Sequence, residues 1–188
     1  MITGMIDEYL TGIKLSFQSV PVGVYLCLIL LFCLCTIWFL AHLGWQKGVR
    51  RSAGLLLLEY LILLLSWSVL TRNGQGVRKC ALTPFWSYPA IRDGRLDIMM
   101  QVIMNVIAYV PVGFLIVCTC GQEKWWKVLL FGGVFSILIE ALQFLFKCGL
   151  TEFDDVFHNV VGCLTGYGLY ELIAWIVSFS SEKRASLS

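Results

Sequence analysis

Six carboxylic acids and amides lie within or at the ends of apolar stretches of this chain, where their side chains could bind a polar ligand. They are Asn105, Glu140, Gln143, Asp154, Asp155 and Asn159. Because a carboxylate or an amide in hydrocarbon is costly, such residues usually face the interior of a helix bundle or a cavity with a function. We therefore predict that these side chains form a ligand-binding site.

Two of the acids would be catalytic if the chain is an enzyme, namely Glu140 and Asp155. Glu140 would act as an acid or a base inside the membrane, with Asp154 or Asp155 as its partner or as a ligand of Mg²⁺. The sequence carries none of the common motifs of hydrolases, metalloproteases, P-loop proteins or dinucleotide-binding proteins. No histidine or cysteine group converges on these acids, which disfavours zinc, and no cofactor is expected.

Structural roles are an alternative for the same side chains. Glu140 could be a neutral acid that is hydrogen-bonded to Ser136, Asn105 or Gln143, because interhelical hydrogen bonds of this kind are common in membranes. Asp154 and Asp155 could cap the N-terminus of the helix that follows them, where acidic side chains suit the helix dipole. The sequence therefore leaves binding and scaffold roles open for each of these residues.

Five further residues are expected to shape the fold. They are Pro84, Pro111, Gly113, Gly162 and Gly166. Pro111 and Gly113 are expected to produce a kink in a helix. Gly162 and Gly166 form a small-xxx-small face, which is typical of close packing between membrane helices. His158 points about 100° away from the neighbouring polar face and is expected to be incidental.

The composition is that of a membrane protein. Hydrophobic residues make up 59% of the chain and charged residues 14%, with a mean hydropathy of +0.81. A soluble domain has roughly 45–50% apolar and about 25% charged residues. The net charge of +2, with no basic run, gives no support to a nucleic-acid partner. The bilayer lipid is therefore the expected surrounding of this chain.

The sequence predicts an all-α polytopic bundle with five transmembrane helices, since about 20 apolar residues cross a bilayer core. They are Val22–Leu43, Ala53–Thr71, Ile98–Cys120, Val128–Phe146 and Val156–Phe179. Residues 1–19 repeat apolar side chains with helical spacing, which predicts an amphipathic helix in the membrane interface. We divide the remainder into two accessory helices over 20–71, a core over 72–179 and a polar tail over 180–188.

The charge pattern favours an external N-terminus and a cytoplasmic C-terminus. Lys and Arg divide seven to seven between the two sides, so the total count does not decide the orientation. The first predicted span is followed by the basic run from Lys47 to Arg51, which favours the cytoplasm there. With five spans, loops 72–97 and 147–155 lie on one side in either orientation. Of the eight cysteines, Cys80 and Cys148 fall in these two loops and could form a disulfide.

The spacing of the candidate residues also places them together. Asn105, Glu140 and Asn159 all lie within roughly 10 Å of the same membrane face, given the 1.5 Å rise of a helix. Each of the last three predicted spans presents one polar or small face, because its polar residues recur at intervals of three and four. We therefore predict that the three faces meet in one cavity.

The region from about Arg78 to Tyr170 resembles the VanZ-like family of small bacterial membrane proteins. The matching pieces are LTPF at Leu82–Phe85, NVIAYVPVGF at Asn105–Phe114, SILIEALQ at Ser136–Gln143 and FDDVFHNVVGCLTGY at Phe153–Tyr167. The resemblance implies a multi-pass protein of the bacterial plasma membrane that is associated with resistance to the glycopeptide teicoplanin. It also supports an external position for loops 72–97 and 147–155.

The chain departs from the pattern of that family at two places. Ala81 stands where the family usually shows Asn before the Leu-x-Pro-Phe motif. The loop before Asp154 lacks the usual Arg, and Cys148 and Gly149 stand near that place. If those side chains bind a ligand in the family, this chain is expected to bind it differently.

Three functions fit these observations. The first is an envelope protein that binds a lipid-linked cell-wall precursor or a glycopeptide at the outer face, helped by basic and aromatic residues such as Phe85, Trp86 and Tyr88. The second is an intramembrane enzyme that uses Glu140 with Asp154 or Asp155. The third is a small proton-coupled transporter with Glu140 as its relay. The first is preferred because the family resemblance points to the envelope.

Overall fold

The computed structural model describes residues 33–35, 37–38, 41, 45–70, 77–121 and 124–185. These residues are almost entirely helical, as the sequence predicted. The helices are α1 (Trp45–Leu65), continued by a π-helical turn (Ser66–Leu70), α2 (Ser87–Arg92), α3 (Leu96–Cys120), α4 (Trp125–Phe146) and α5 (Phe153–Ala185). Two short strands, β1 (Lys79–Ala81) and β2 (Leu150–Glu152), complete the fold.

Four segments of the described chain are long and apolar enough to cross a membrane. They are Gln46–Val69, Leu96–Cys120, Trp125–Phe146 and Phe153–Ser180. They coincide with the second to fifth predicted spans, so the all-α membrane fold is confirmed. The predicted interfacial helix over 1–19 and most of the span Val22–Leu43 lie outside the described residues.

Both short strands lie at the end of the bundle where α3 starts, α4 ends and α5 starts. They pair in parallel, with Lys79 opposite Leu150 and Ala81 opposite Glu152. We call this end, with segments 77–95 and 147–152, the loop end. These strands could not be predicted from the sequence, because a three-residue ladder is too short for an alternating pattern. The pairing ties the segment before α2 to the start of α5.

Helices α3 and α5 form the main interface, and glycines bring them unusually close. A Cβ added at Gly166 would lie 2.7 Å from the backbone nitrogen of Phe114, nearer than real Cβ atoms come. A Cβ at Gly162 would meet Tyr109, and one at Gly113 would meet the backbone of Cys163. Gly162 and Gly166 therefore lie at a packed interface. Gly113, expected with Pro111 to shape a kink, belongs to the same close contact.

The remaining packing fixes α1 and α4 against this pair. The core is formed by buried apolar side chains of α3, α4 and α5, including Val112, Val117 and Val128. Helix α1 packs on α3, where the Tyr60 hydroxyl donates to the carbonyl of Ala108 at 2.8 Å. The glycine-packed pair therefore provides a fixed frame on which the loop end is built.

Candidate functional site

The candidate residues of three helices meet at the loop end. Asn105 on α3, Glu140 on α4 and Asp155 on α5 all lie within about 15 Å of that end of their helices, at 1.5 Å per residue. Helices α3 and α5 start at this end and α4 ends there, so the polar faces that were predicted for the three helices lie in one region. The contacts within this region show how the side chains are used.

A network of acids and neutral donors links α3 to the start of α5. The Asn105 amide donates to Asp155 at 2.7 Å. The Gln101 amide lies 3.3 Å from both Asp155 and Glu152. The indole N–H of Trp86 donates to the other oxygen of Glu152 at 3.1 Å. We call these five residues the acid–amide network.

Glu152 is the buried acid of this network, with only 4% of its surface exposed. Burial, followed by the negative charge of Asp155, raises the pKa of Glu152 to about 7, against the opposing hydrogen bonds from Gln101 and Trp86. Such a carboxyl exchanges a proton near neutral pH. Together with the neighbouring carboxylate of Asp155, it can accept hydrogen bonds, bind a cationic group or transfer a proton.

Asp154 has a different position, because its carboxylate is occupied by the protein itself. It is 1% exposed and accepts hydrogen bonds from the backbone of Phe85 at 2.5 Å and of Ser87 at 3.0 Å. It also accepts from the Ser87 hydroxyl at 2.5 Å. As a structural alternative, the sequence suggested that Asp154 caps the N-terminus of its own helix. Instead, it caps the start of α2 and holds Phe85 at a φ of 60°.

Glu140 also contacts the backbone of the loop end. One of its carboxyl oxygens accepts a hydrogen bond from the backbone N–H of Glu152 at 2.9 Å. The Glu140 carbonyl accepts from the Thr151 hydroxyl at 3.3 Å. Glu140 therefore holds β2 against α4 and sets the position of Glu152. The raised pKa of Glu152 makes it a second acid that can hold a proton near neutral pH, whereas the sequence had suggested Glu140, for which this role stays a prediction.

Two side chains beneath the network carry unused hydrogen-bonding atoms. The Asn159 amide nitrogen donates to Ser136 at 2.8 Å. Its carbonyl oxygen and the Tyr109 hydroxyl are buried and have no hydrogen-bond partner among the described residues. Gln143 turns to the π-helical segment instead, where its amide donates to the carbonyl of Ser68 at 3.1 Å. The structure thus joins Asn159 to the α4 face and directs Gln143 toward α1.

Two contributors were missed from the sequence, Glu152 and His158. Glu152 is the third acid within four residues, and that local density was the available signal. His158 was expected to be incidental, which is wrong: its ring is buried and its Nε2 lies 3.1 Å from the Tyr88 hydroxyl. A helical wheel could not reveal this contact, because Tyr88 reaches the ring from α2, outside the predicted spans.

The donor set of the region does not resemble a metal centre. Across the described ranges, no three side chains of His, Cys, Asp or Glu converge as metal ligands. Cys80 and Cys148 are both free thiols, so the disulfide that the loops could have formed is not present. The region therefore offers carboxylates, amides and hydroxyls, which bind polar groups by hydrogen bonds and exchange protons.

Known proteins are similar to this chain over the whole of the loop end. The sequence model of the VanZ/LLP1 family matches residues 22–174. The chain is similar to protein VanZ of Enterococcus faecium, with 32% identity over 131 aligned positions. The match covers 66% of this chain and 76% of that protein. No solved structure matches the chain significantly. The matched residues make up most of the chain and include the whole acid–amide network. The chain therefore belongs to the VanZ/LLP1 family.

Proposed function

We propose that this protein acts at the outer face of the bacterial plasma membrane, binds the polar part of a lipid-linked cell-wall precursor or of a glycopeptide, and lowers susceptibility to teicoplanin. The acid–amide network is the binding site. The observation that carries the proposal is the pair Glu152 and Asp155, two neighbouring carboxyls held by neutral donors at one end of the bundle. Such a pair is costly to maintain without a ligand to recognise.

The surroundings of the network support an envelope ligand. Phe85 and Tyr88 are exposed beside it and pack against each other, with ring centroids 5.9 Å apart. Arg78 lies 5.5 Å from the ring of Phe144, at the same end. Basic and aromatic side chains of this kind contact anionic headgroups at the membrane surface. The similarity to protein VanZ of Enterococcus faecium is consistent with an envelope role.

The proposal places segments 77–95 and 147–152 outside and the C-terminus in the cytoplasm. Cys80 and Cys120 test this orientation, because both are exposed free thiols at opposite ends of the bundle. A membrane-impermeant maleimide should label Cys80 on intact cells and Cys120 only after permeabilisation. Single-cysteine variants provide the matched pair. Labelling of Cys120 alone on intact cells would reverse the orientation.

The susceptibility claim is tested by expression in a teicoplanin-susceptible Gram-positive host. The wild-type protein should raise the inhibitory concentration several-fold, and Asp155→Asn or Asn105→Ala should return it to the level of the empty vector at equal membrane abundance. Asp97→Asn is the matched control, because Asp97 is exposed and pairs with Arg95 at 2.6 Å outside the network. Protection that survives both network substitutions would show that the site lies elsewhere.

An intramembrane enzyme is the second candidate, and the pKa of Glu152 favours it. A carboxyl that titrates at about 7 beside a second carboxyl is the usual arrangement of a general acid with its partner. In that case Glu152 donates the proton and Asp155 holds the substrate. Lipid extracts from cells with the wild-type protein should then contain a species that is lost with Glu152→Gln and kept with Glu171→Gln. Identical lipid profiles would leave binding as the function.

A further inference from the structure

Tyr109 and Asn159 each bury a polar atom that the protein does not satisfy. Tyr109 is 4% exposed and Asn159 is 5% exposed. The Tyr109 hydroxyl and the Asn159 carbonyl oxygen have no hydrogen-bond partner among the described residues. Because buried polar groups in folded proteins are nearly always hydrogen-bonded, two neighbouring exceptions indicate a partner other than the protein.

The two atoms lie directly beneath the acid–amide network. Asn159 follows Asp155 by one helical turn on α5, so both side chains share a face. Tyr109 follows Asn105 by one turn on α3, and Asn105 donates to Asp155. The Tyr109 hydroxyl lies near Ser136, the same residue that accepts from the Asn159 amide, and the carboxyls of Glu140 and Asp155 are its nearest acids. The unsatisfied atoms therefore lie about one helical turn below the Asn105–Asp155 hydrogen bond of the network.

The chemistry of these atoms selects the ligand. The free atom of Asn159 is a carbonyl oxygen, which can only accept a hydrogen bond. The carboxylate of Asp155 also accepts only, as does that of Glu152 once it has lost its proton, and the Tyr109 oxygen can accept as well. A set of acceptors with negative charge fits a group that carries several N–H donors and a positive charge. A primary ammonium group, with three donors on one cationic nitrogen, meets both requirements.

We propose that Asp155, Asn159 and Tyr109 bind a primary ammonium group, with Glu152 contributing the second carboxyl above it. The inference rests on the proposed function, since it names the chemistry that the same site recognises. The ammonium can come from the headgroup of an aminophospholipid or from a free amine. In either source the N–H donors satisfy the oxygens of Asn159 and Tyr109 that the fold leaves unpaired.

The test measures binding to the purified full-length protein in detergent by its thermal unfolding. Short-chain phosphatidylethanolamine should raise the unfolding midpoint, whereas phosphatidylcholine, whose nitrogen carries no N–H, and phosphatidylglycerol should not. Free ethanolamine distinguishes the source: a shift with ethanolamine assigns a free amine, and a shift with the lipid alone assigns a lipid headgroup. An equal shift with phosphatidylcholine or phosphatidylglycerol would overturn the proposal, as would no shift with either amine.

Two variants separate binding from folding. Asp155→Asn should weaken binding of the amine by about tenfold or more, the usual loss for a charge-assisted hydrogen bond. Tyr109→Phe keeps the ring that packs in the core and removes only the hydroxyl near Ser136, so it should change the unliganded midpoint by little while it weakens amine binding. Asp97→Asn should bind as the wild type does. Unchanged binding in both Asp155→Asn and Tyr109→Phe would reject the site.

The outcomes also separate this inference from the proposed function. If Asp155→Asn abolishes teicoplanin protection while no amine shifts the midpoint, the ammonium inference fails and the proposed function stands. If the amine selectivity is present while the protein gives no protection, the ammonium site stands and the proposed function fails.

Discussion

Helices α3 and α5 contact each other in two ways along their length. One kind of contact belongs to the candidate site, and the other fixes the distance between the helices. At the loop end they meet through side chains, where Asn105 donates to Asp155 at 2.7 Å. About two turns deeper they meet backbone to backbone, because Gly162 and Gly166 place no side chain between Val106, Val110 and Phe114. Polar side chains can exchange a protein partner for a ligand. Packed backbone cannot, so it holds the spacing on which the polar contacts depend.

This division follows from the bilayer as a solvent. Lipid tails are as apolar as the side chains they surround, so helix association relies on close packing of small residues and on interhelical hydrogen bonds. The deep part of the interface relies on close packing of small residues, and the loop end relies on interhelical hydrogen bonds. The unsatisfied atoms of Tyr109 and Asn159 lie where the two parts meet.

The largest predicted effect comes from filling the glycine-packed part. A Cβ at Gly166 would approach the backbone of both Val110 and Phe114, so Gly166→Ala should cost about 3 kcal/mol or more through forced separation of the helices. Gly168→Ala on the same helix is the control, because a Cβ there meets nothing within 4 Å. It should be neutral or stabilising by up to about 1 kcal/mol. Thermal unfolding in detergent measures the stability of both variants. Equal midpoints would show that the glycine contacts do not fix the distance between α3 and α5.

The next effect comes from removing the acid that holds the loop. Asp154→Ala leaves the N–H groups of Phe85 and Ser87 without an acceptor, at a cost of about 3 kcal/mol. Asp97→Ala, which breaks an exposed ion pair with Arg95, should cost less than about 1 kcal/mol. Hydrogen exchange should rise at residues 83–88 in the first variant alone. Unchanged protection there would show that Asp154 does not support this loop.

Much of this arrangement could be predicted from the sequence, and the rest depends on contacts between distant segments. Hydropathy gives the spans, and intervals of four residues place Asp155 and Asn159 on one face, because both follow from regular helix geometry. Glu152 and Trp86 join the network only through the β1–β2 pairing and the turn before α2. Those are tertiary contacts between short irregular segments, which carry no periodic signal.

The direction of a side chain was the second feature that could not be predicted from the sequence. Gln143 has the right depth and spacing for the predicted cavity, yet its amide donates to Ser68 on the π-helical segment. Helical spacing fixes which face a residue occupies, but a long side chain at the edge of that face can turn to either neighbouring helix. Asp154 shows the same limit, because its spacing suited its own helix and its partners belong to α2.

A smaller effect is expected in the pH dependence of stability. The pKa of Glu152 is raised from 4.5 to about 7, so the folded protein takes up this proton more readily than the unfolded chain. The contribution is therefore fully present below about pH 4.5 and is lost as the pH rises through 7, at most on the order of 3 kcal/mol.

The variant Glu152→Gln should flatten this profile between pH 5 and pH 8, and Glu171→Gln should retain it. Unfolding midpoints across that range provide the measurement. The carboxyls of Asp155 and Asp154 face the same side chain and contribute to its shift, so Asp155→Asn should move the transition to a lower pH. A profile that is identical in wild type and Glu152→Gln would show that Glu152 ionises normally.

The smallest effect is expected where an amide can accept the hydrogen bond that an acid accepts. Glu140 accepts the backbone N–H of Glu152 at 2.9 Å, and the amide oxygen of a glutamine can accept the same bond. Glu140→Gln should therefore change stability by less than about 1 kcal/mol, whereas Glu140→Ala leaves a buried N–H unpaired and should cost about 1–3 kcal/mol. The comparison uses unfolding midpoints and the yield of folded protein from membranes. Equal damage from both substitutions would mean that the charge of Glu140 is required, and the polar part of the interface would then extend from the acid–amide network into α4.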